Sequence, residues 1–416
     1  MNQYRFKFLV IVFLFSGTAV AQTVSELYQS SIQAYEEKRF EDFLEYALKA
    51  DSLRPNHRIL LYNVVAGYAL TGNSEKAYEV LKSRAQFYAV NDFEEDEDFA
   101  SLSEEYFEEL RSTVNLLNEP IETSEFVFEI KADEFHAEDI VYHEKLERFF
   151  LSDVRNGYIY SVGREGEDLR KEFDLKAMGY WSALGIAFDP NEENTLWVSS
   201  SMMNVFSGYI DSLDGKSVVM SLDIRKNKVL EVFELPGRHV LGEIIFSDSG
   251  DLYISDSIEP YIYGIKNGGD EIESLYTNPG WMNLQGLAID EAQNRIFVSD
   301  YITGTFIVDI ESGLISRLDI EGGLISGTDG LTIYKDKLIY LQNGTTPKRI
   351  AISKLDGSRF EFLDRALPFL NEPTMGVIVG DEFYFIANSP WPYYSRESEP
   401  LLEEWSPIQI RKLVTE

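Results

Sequence analysis

Two periods of apolar residues divide the chain. From about Val24 to Leu117, apolar side chains recur three and four residues apart with no strand-like alternation, which predicts helices packed by one face. From Ser124 onward that period gives way to short apolar runs cut by Gly, Asp and Asn, which predicts strands joined by tight turns. The change falls around Pro120. The expected organisation is a helical domain at 22–117, a linker at 118–124 and an all-β domain at 125–416.

The helical part repeats. "ELYQSSIQAYEEKRFEDFLEYALKADSLRPNH" carries Tyr28, Tyr35, Phe43, Ala47, Ala50 and Pro55, and "ILLYNVVAGYALTGNSEKAYEVLKSRAQFYAVN" carries Tyr62, Ala66, Tyr68, Gly72, Ala77 and Leu81. This spacing, with a Gly between paired helices and a Pro closing the first unit, resembles tetratricopeptide repeats. A further helix in "DFEEDEDFASLSEEYFEELRSTVNLL" reads as a cap. Two repeats and a cap are near the minimum for a stable stack, so the module is expected to lean on its neighbour or on a partner.

The β part repeats as well. Six segments share one pattern: "EDIVYHEKLERFFLSD", "LGIAFDPNEENTLWVSS", "GEIIFSDSGDLYISDS", "QGLAIDEAQNRIFVSD", "DGLTIYKDKLIYLQN" and "MGVIVGDEFYFIANS". They start at 138, 184, 242, 285, 329 and 375. Each strand pair is followed by two more strands, so four strands recur at a period of forty-odd residues or more, which predicts a six-bladed β-propeller. The sixth unit supplies only three strands, ending in "PIQIRKLV". The missing fourth is "EFVFEI", residues 125–130, and pairing the two chain ends in one blade removes open edges.

Composition adds limits. "MNQYRFKFLVIVFLFSGTAVAQT" has a basic start, an apolar run and small residues Ala19 and Ala21, so residues 1–21 read as a secretory signal cleaved after Ala21. No other stretch is apolar and long enough to span a bilayer. The chain of 416 residues has no cysteine, which excludes disulfides, thiolate metal sites, a cysteine nucleophile and a lipoprotein anchor. The expected location is periplasmic or secreted. With 71 acids against 37 bases the net charge is −34, a surface that repels nucleic acid and anionic lipid and suits cations. No phosphate-cradling glycine loop, paired-His zinc motif or G-x-S-x-G elbow is present.

In a propeller, the residue that starts each inner strand and the residue that ends the next strand meet at one mouth of the central channel. The leading set is Glu138, Leu184, Gly242, Gln285, Asp329 and Met375, with Glu243 beside the third; the trailing set is Asp153, Ser200, Asp256, Asp300, Asn343 and Asn388. Carboxylates and amides crowded at one mouth repel unless a cation neutralises them, and oxygen donors favour Ca²⁺ or a similar hard ion. An Asp ending a strand also caps backbone amides, and most of the trailing acids fit that role. Two long insertions, "SMMNVFSGYIDSLDGKS" and "SPWPYYSRESEPLLEEWS", emerge at the same mouth; the second holds Trp391, Tyr393, Tyr394 and Trp405. Such aromatics suit an organic ligand, or cover strand ends, or pack against the helical module.

"EDIVYH", "LQGLAID…RIFVSDYITG", "TDGLTIY" and "GVIVGDEFYFIANS" resemble the SMP-30/gluconolactonase/LRE-like six-bladed propellers, over roughly residues 125–416. The resemblance implies one divalent cation on the axis, held through Glu138, Gln285 and Asp329. Gln285 stands where the family has Asn, and Asp139 where it usually has Gly. It also implies hydrolysis of a lactone or ester, with Asp329 as the base; His239 of "GRHVLGE", ahead of the third inner strand and close to the same mouth, is a second candidate by position. His136 is a weaker one. Trp281 and Trp391 are expected pocket walls, and Glu243, Asp256, Asp300, Asn343 and Asn388 are expected substrate contacts. A rival reading is a non-catalytic scaffold that holds a protein partner in the helical groove.

Overall fold

A computed structural model describes residues 23–414 apart from Asn56 and 321–325, so the signal expected at 1–21 lies outside the described residues. Five helices lead: α1 (Val24–Glu36), α2 (Phe40–Leu53), α3 (Arg58–Leu70), α4 (Ser74–Ala85) and α5 (Glu104–Leu117). Thr23 starts α1 with a capping box, its hydroxyl accepting from the Glu26 amide while the Glu26 carboxylate accepts from the Thr23 amide. The step from Val24 to Arg58 and the step from Phe40 to Ser74 are both 34 residues, the length of a tetratricopeptide unit. The helices share a core of small and aromatic side chains, among them Ala34, Phe43, Val65, Ala66, Ala69 and Leu81. Gly67 allows the crossing of α2 and α3, because a Cβ there would stand 3.0 Å from Leu44 Cα.

These helices do lean on their neighbour. After α4, Ala89 N–H donates to Thr346 O (2.8 Å) and Thr346 N–H donates to Phe87 O (2.7 Å). Arg349 Nη1 reaches Gln86 O (2.9 Å), and Arg365 Nη2 reaches Leu116 O (2.7 Å) and Glu119 O (3.1 Å). The two arginines thus give carbonyls at the C-terminal ends of α4 and α5 a charged donor. The segment 118–124 is pinned rather than loose: Ile121 pairs with Arg365, and the Asp364 carboxylate accepts from the Thr123 and Ser124 amides.

Six four-stranded antiparallel sheets follow in a ring. Their inner strands are Ala137–His143, Ser182–Phe188, Leu241–Phe246, Leu284–Asp290, Thr328–Tyr334 and Gly376–Val379. The last blade closes as the sequence predicts, with Glu125–Ile130 antiparallel to Ile408–Val414. The second strands, such as Arg148–Asp153 and Arg295–Asp300, are buried along almost their whole length, because blades stack face to face on both sides of them. The core is therefore six slabs between adjacent blades rather than one centre. Phe150 and Phe173 of the first blade meet Ile186 and Val198 of the second, for example, and Leu341 and Ile350 of the fifth meet Phe383 and Phe385 of the sixth.

One irregularity is repeated. In the first five blades the ladder between inner and second strands slips at the start of the inner strand, between Ala137 and Ile140, Ala183 and Ile186, Leu241 and Ile244, Leu284 and Leu287, and Thr328 and Gly330. A bulge re-aims the side chains it frees, here at the mouth of the channel. Most bulges end in Gly because neighbouring inner strands nearly touch: a Cβ on Gly185 would stand 2.2 Å from Gly242 O, and one on Gly330 2.2 Å from Thr374 O.

Candidate active site

The bulges open onto a cavity of about 400 Å³ at one mouth. Glu138, Leu184, Gly242, Gln285 and Asp329 of the leading set line it; Met375 is buried outside the wall. The remainder comes from Asn343, from the connecting loops (Val240, Asn283, Glu372), from Ser257, Ile258 and Tyr301, and from the two insertions, through Met203 and Trp391.

Each candidate ligand has one polar atom fixed by a neighbour. Glu138 Oε2 accepts from Trp391 Nε1 (2.7 Å), and Asp329 Oδ2 accepts from Asn343 Nδ2 (2.6 Å). Gln285 Nε2 donates to Asn283 Oδ1 (2.8 Å), which leaves the Gln285 carbonyl oxygen for a ligand. Asn343 is itself set by Tyr301, whose hydroxyl donates to Asn343 Oδ1 (2.9 Å). Such partners hold a donor's orientation before anything binds.

Charge is concentrated here. Burial first, then Glu372, pushes the Asp329 carboxyl up to about 7, against the bonds from Asn343 and the charge of Lys348. Burial and then Asp329 hold Glu138 far above the usual carboxylate range, and burial followed by Asp139, Asp329 and Glu138 does the same to Glu243. Five acids thus feel each other around one channel, with Lys348 the near cation: its Nζ is 2.8 Å from Glu372 Oε2 and also donates to Asn343 O. No three His, Asp or Glu side chains among the described residues are grouped to hold a metal ion; the set in question is two carboxylates and one amide.

Asp139 and Glu243 occupy the position that is Gly in the second, fourth and fifth blades. Asp139 makes a bridge instead of a close approach: its carboxylate accepts from Ile140 N and from Ile186 N of the next inner strand, both at 2.7 Å. Glu243 is not part of the cavity wall; burial and the charges of Asp139, Asp329 and Glu138 act on its carboxyl.

Several sequence expectations are corrected. His239 is buried off the cavity, with Nδ1 2.7 Å from Asp256 Oδ2 and Nε2 3.1 Å from Pro236 O, so neither ring nitrogen is free to serve as a base. Asp256 is fully buried, and its other oxygen accepts from the Val240, Ile258 and Glu259 amides. Asp300 likewise serves the Met282, Asn283, Ile302 and Thr303 amides. Asn388 ties Pro407 O to the Gln409 amide in the sixth blade. Trp281 is in the apolar slab between the third and fourth blades and does not line the axial cavity. His136 is fully buried, its pKa lowered to about 3 by burial and then by Arg155; it holds Tyr394 by a 2.8 Å hydrogen bond and abuts Trp391. It is a post for the aromatic insertion. That insertion meets the other through an apolar seam of Met203, Val205, Leu184, Trp391 and Tyr394.

Among the wall residues that were not sequence candidates are Glu372, Tyr301, Asn283 and Val240. Glu372 has a positive φ of 88°, a conformation unusual for a side chain-bearing residue, that turns "LNEPT" into the mouth. Asn283, two before Gln285, was within reach of the leading-position pattern.

No family model and no curated protein matches the chain. Among solved structures it is similar to the PQQ-bound aldose sugar dehydrogenase of Streptomyces coelicolor, with 13% identity over 70% of this chain and 97% of that one and a TM-score of 0.51. It is also similar to a putative gluconolactonase (13% identity, 71% and 94% covered, TM-score 0.49) and to a luciferin-regenerating enzyme (12%, 71% and 95%, TM-score 0.49). At such identities the likeness is one of fold, and propellers host many chemistries.

Proposed function

We propose that the chain is an exported, divalent-cation-dependent hydrolase that opens lactones or related esters in the axial cavity. The observation that carries the reading is the pair of half-buried Glu138 and buried Asp329, set among other acids at one mouth, each oriented through one oxygen and with the second unbonded among the described residues. All donors are oxygens, so the set fits a hard ion: Glu138, Gln285 and Asp329 would hold it, with Trp391, Asn283 and Asn343 as their orienting partners. When bound, the ion supplies Lewis-acid polarisation of the scissile carbonyl.

The chain's own groups do the rest. Asp329 Oδ1 takes a proton from the attacking water and returns it to the ring oxygen as the acyl C–O bond breaks, so one water and one lactone give one hydroxy acid. Leu184, Val240, Met203 and Trp391 form the apolar part of the wall and limit water entry. The test is a lactone and aryl-ester panel with and without chelator, together with metal analysis and Asp329→Asn. Chelator-sensitive hydrolysis lost in the variant supports the reading; no bound ion and no hydrolysis overturns it.

A further inference from the structure

The loop of residues 343–348, between the strands Lys337–Gln342 and Arg349–Lys354, carries two sets of contacts. One set is with the helical module. Thr346 N–H donates to Phe87 O (2.7 Å), Thr346 O accepts from Ala89 N–H (2.8 Å), and Arg349 Nη1 donates to Gln86 O (2.9 Å). The other set is with the axial cavity. Asn343 Nδ2 donates to Asp329 Oδ2 (2.6 Å), and Lys348 Nζ donates to Asn343 O while standing 2.8 Å from Glu372 Oε2. Asp329 and Glu372 both line that cavity. The two sets alternate along 343–349: Asn343 and Lys348 serve the cavity, Thr346 and Arg349 the helices.

The loop has no slack. Arg349 Nε donates to Gln342 Oε1 (2.8 Å), which clamps its two ends together, and Thr345 Oγ1 donates to Pro347 O (2.8 Å). Gly344 packs so closely that a Cβ there would stand 2.5 Å from Gly327 Cα and 2.8 Å from Tyr301 Cζ. Tyr301 is also the residue whose hydroxyl sets Asn343. A segment packed in this way shifts as a unit rather than deforming. On the helical side, Asn118 at the end of α5 holds the segment 86–89, its Nδ2 donating to Ala89 O (2.7 Å).

We infer that the helical module is a positioning element for the axial cavity: residues 86–89 hold the 343–348 loop, and through Asn343 and Lys348 the loop holds Asp329 and Glu372. The inference goes beyond the hydrolase reading and stands without it, since it concerns where two carboxylates point and not what they act on. Like charges at one mouth repel, so each carboxylate needs a fixed partner to keep its direction. Loops are the mobile part of a scaffold, and the one that supplies these partners is held by main-chain bonds from outside its own blade. Loosening residues 86–89 therefore loosens the mouth, with no change to Asp329 or Glu372 themselves.

The experiment uses the full chain. Ala89→Pro removes the amide that meets Thr346 O, and Asn118→Ala, a milder change at an exposed residue, frees the same segment from α5. Glu122→Ala is the comparison, because it breaks the 2.8 Å pair with Arg411 that ties 118–124 to the sixth blade. Hydrogen exchange followed by mass spectrometry should be about tenfold faster in Ala89→Pro at Gly344, Asn371 and Ser389, whose amides pair with Gly327 O, Ala387 O and Glu372 O. Asn118→Ala should give the same pattern at smaller size, which decides the matter if Ala89→Pro does not fold. In asparagine-labelled protein the Asn343 side-chain amide signals, identified by their loss in Asn343→Ser, should move towards the free-amide position in both variants and stay in place in Glu122→Ala. Neither readout needs a ligand or turnover, so failure of the hydrolase reading leaves both in force. Faster exchange confined to Ala89 and Thr346, with Asn343, Asn371 and Ser389 unchanged, overturns the inference, and so does an equal response to Glu122→Ala.

Discussion

Asp329→Asn should stabilise the protein more at pH 8 than at pH 5 while abolishing hydrolysis. Asp329 has its carboxyl raised from 3.8 to about 7 by burial and by Glu372. A carboxyl with a raised pKa in the fold favours the folded state only while protonated. Its contribution is complete below the unfolded value and is lost as pH rises towards 7. With those two values, ionisation costs about 2 kcal/mol of stability at pH 5 and about 4 kcal/mol at pH 8, taking about 1.4 kcal/mol per pH unit. Asparagine carries no such cost at either pH, and its carbonyl can still accept from Asn343 Nδ2. The stability gap between variant and wild type should therefore widen by about 2–3 kcal/mol between pH 5 and pH 8. Urea unfolding followed by tryptophan fluorescence at both values measures it. Millimolar Ca²⁺ should close most of the gap at pH 8, because an ion neutralises in the wild type what the substitution removes. A gap of equal size at both pH values, or a variant less stable at pH 8, would refute the crowded-carboxylate account.

Three further outcomes are expected. Trp391→Phe keeps an aromatic ring against His136 but removes the donor to Glu138 Oε2, so kcat/KM should fall on the order of 10- to 100-fold with an unchanged melting temperature. His239→Ala leaves buried Asp256 Oδ2 without its partner and should cost about 1–3 kcal/mol of stability, while the pH profile of kcat stays as it was. Arg365→Ala removes donors from Leu116 O and Glu119 O and should cost about 2–3 kcal/mol, seen as new proteolytic cleavage within 118–124.

The fold was legible because its units repeat. Each second strand must be apolar on both faces to fill a slab between blades, and each turn needs Gly, Asp or Asn, so "RIFVSD" and "LYISD" announce the same environment. Blade closure was legible by counting, since "PIQIRKLV" left one strand short and "EFVFEI" stood unused. The docking of the helices was not. It depends on Arg349 and Arg365 reaching backbone carbonyls 246 to 263 residues away in sequence, and nothing local distinguishes those arginines from surface ones.

The site was legible in part, and the departures from the repeat explain which part. Asp153, Asp256 and Asp300 end their strands alike, each taking amides two and three residues on and the amide of the loop ahead of its own blade's inner strand. That is a latch between two loops of one blade, and it consumes the carboxylate. As sequence, such an Asp looks the same as a ligand, which is why Asp256 and Asp300 were read as substrate contacts. In the fifth blade the latch position is Asn343, whose side chain serves Asp329 and Tyr301 instead. The leading positions behave in the same way. Gly at the bulge permits strand contact, and the blades with Asp139 or Glu243 there put charge into the channel instead. A departure from the repeat marks where to look rather than which residue faces the cavity: Asn343 does, whereas Asp139 bridges two inner strands and Asn388 still ties two segments of its blade. Glu372 escapes even this rule, because its place in the mouth is set by a left-handed backbone turn and by Lys348, neither of which a repeat alignment records.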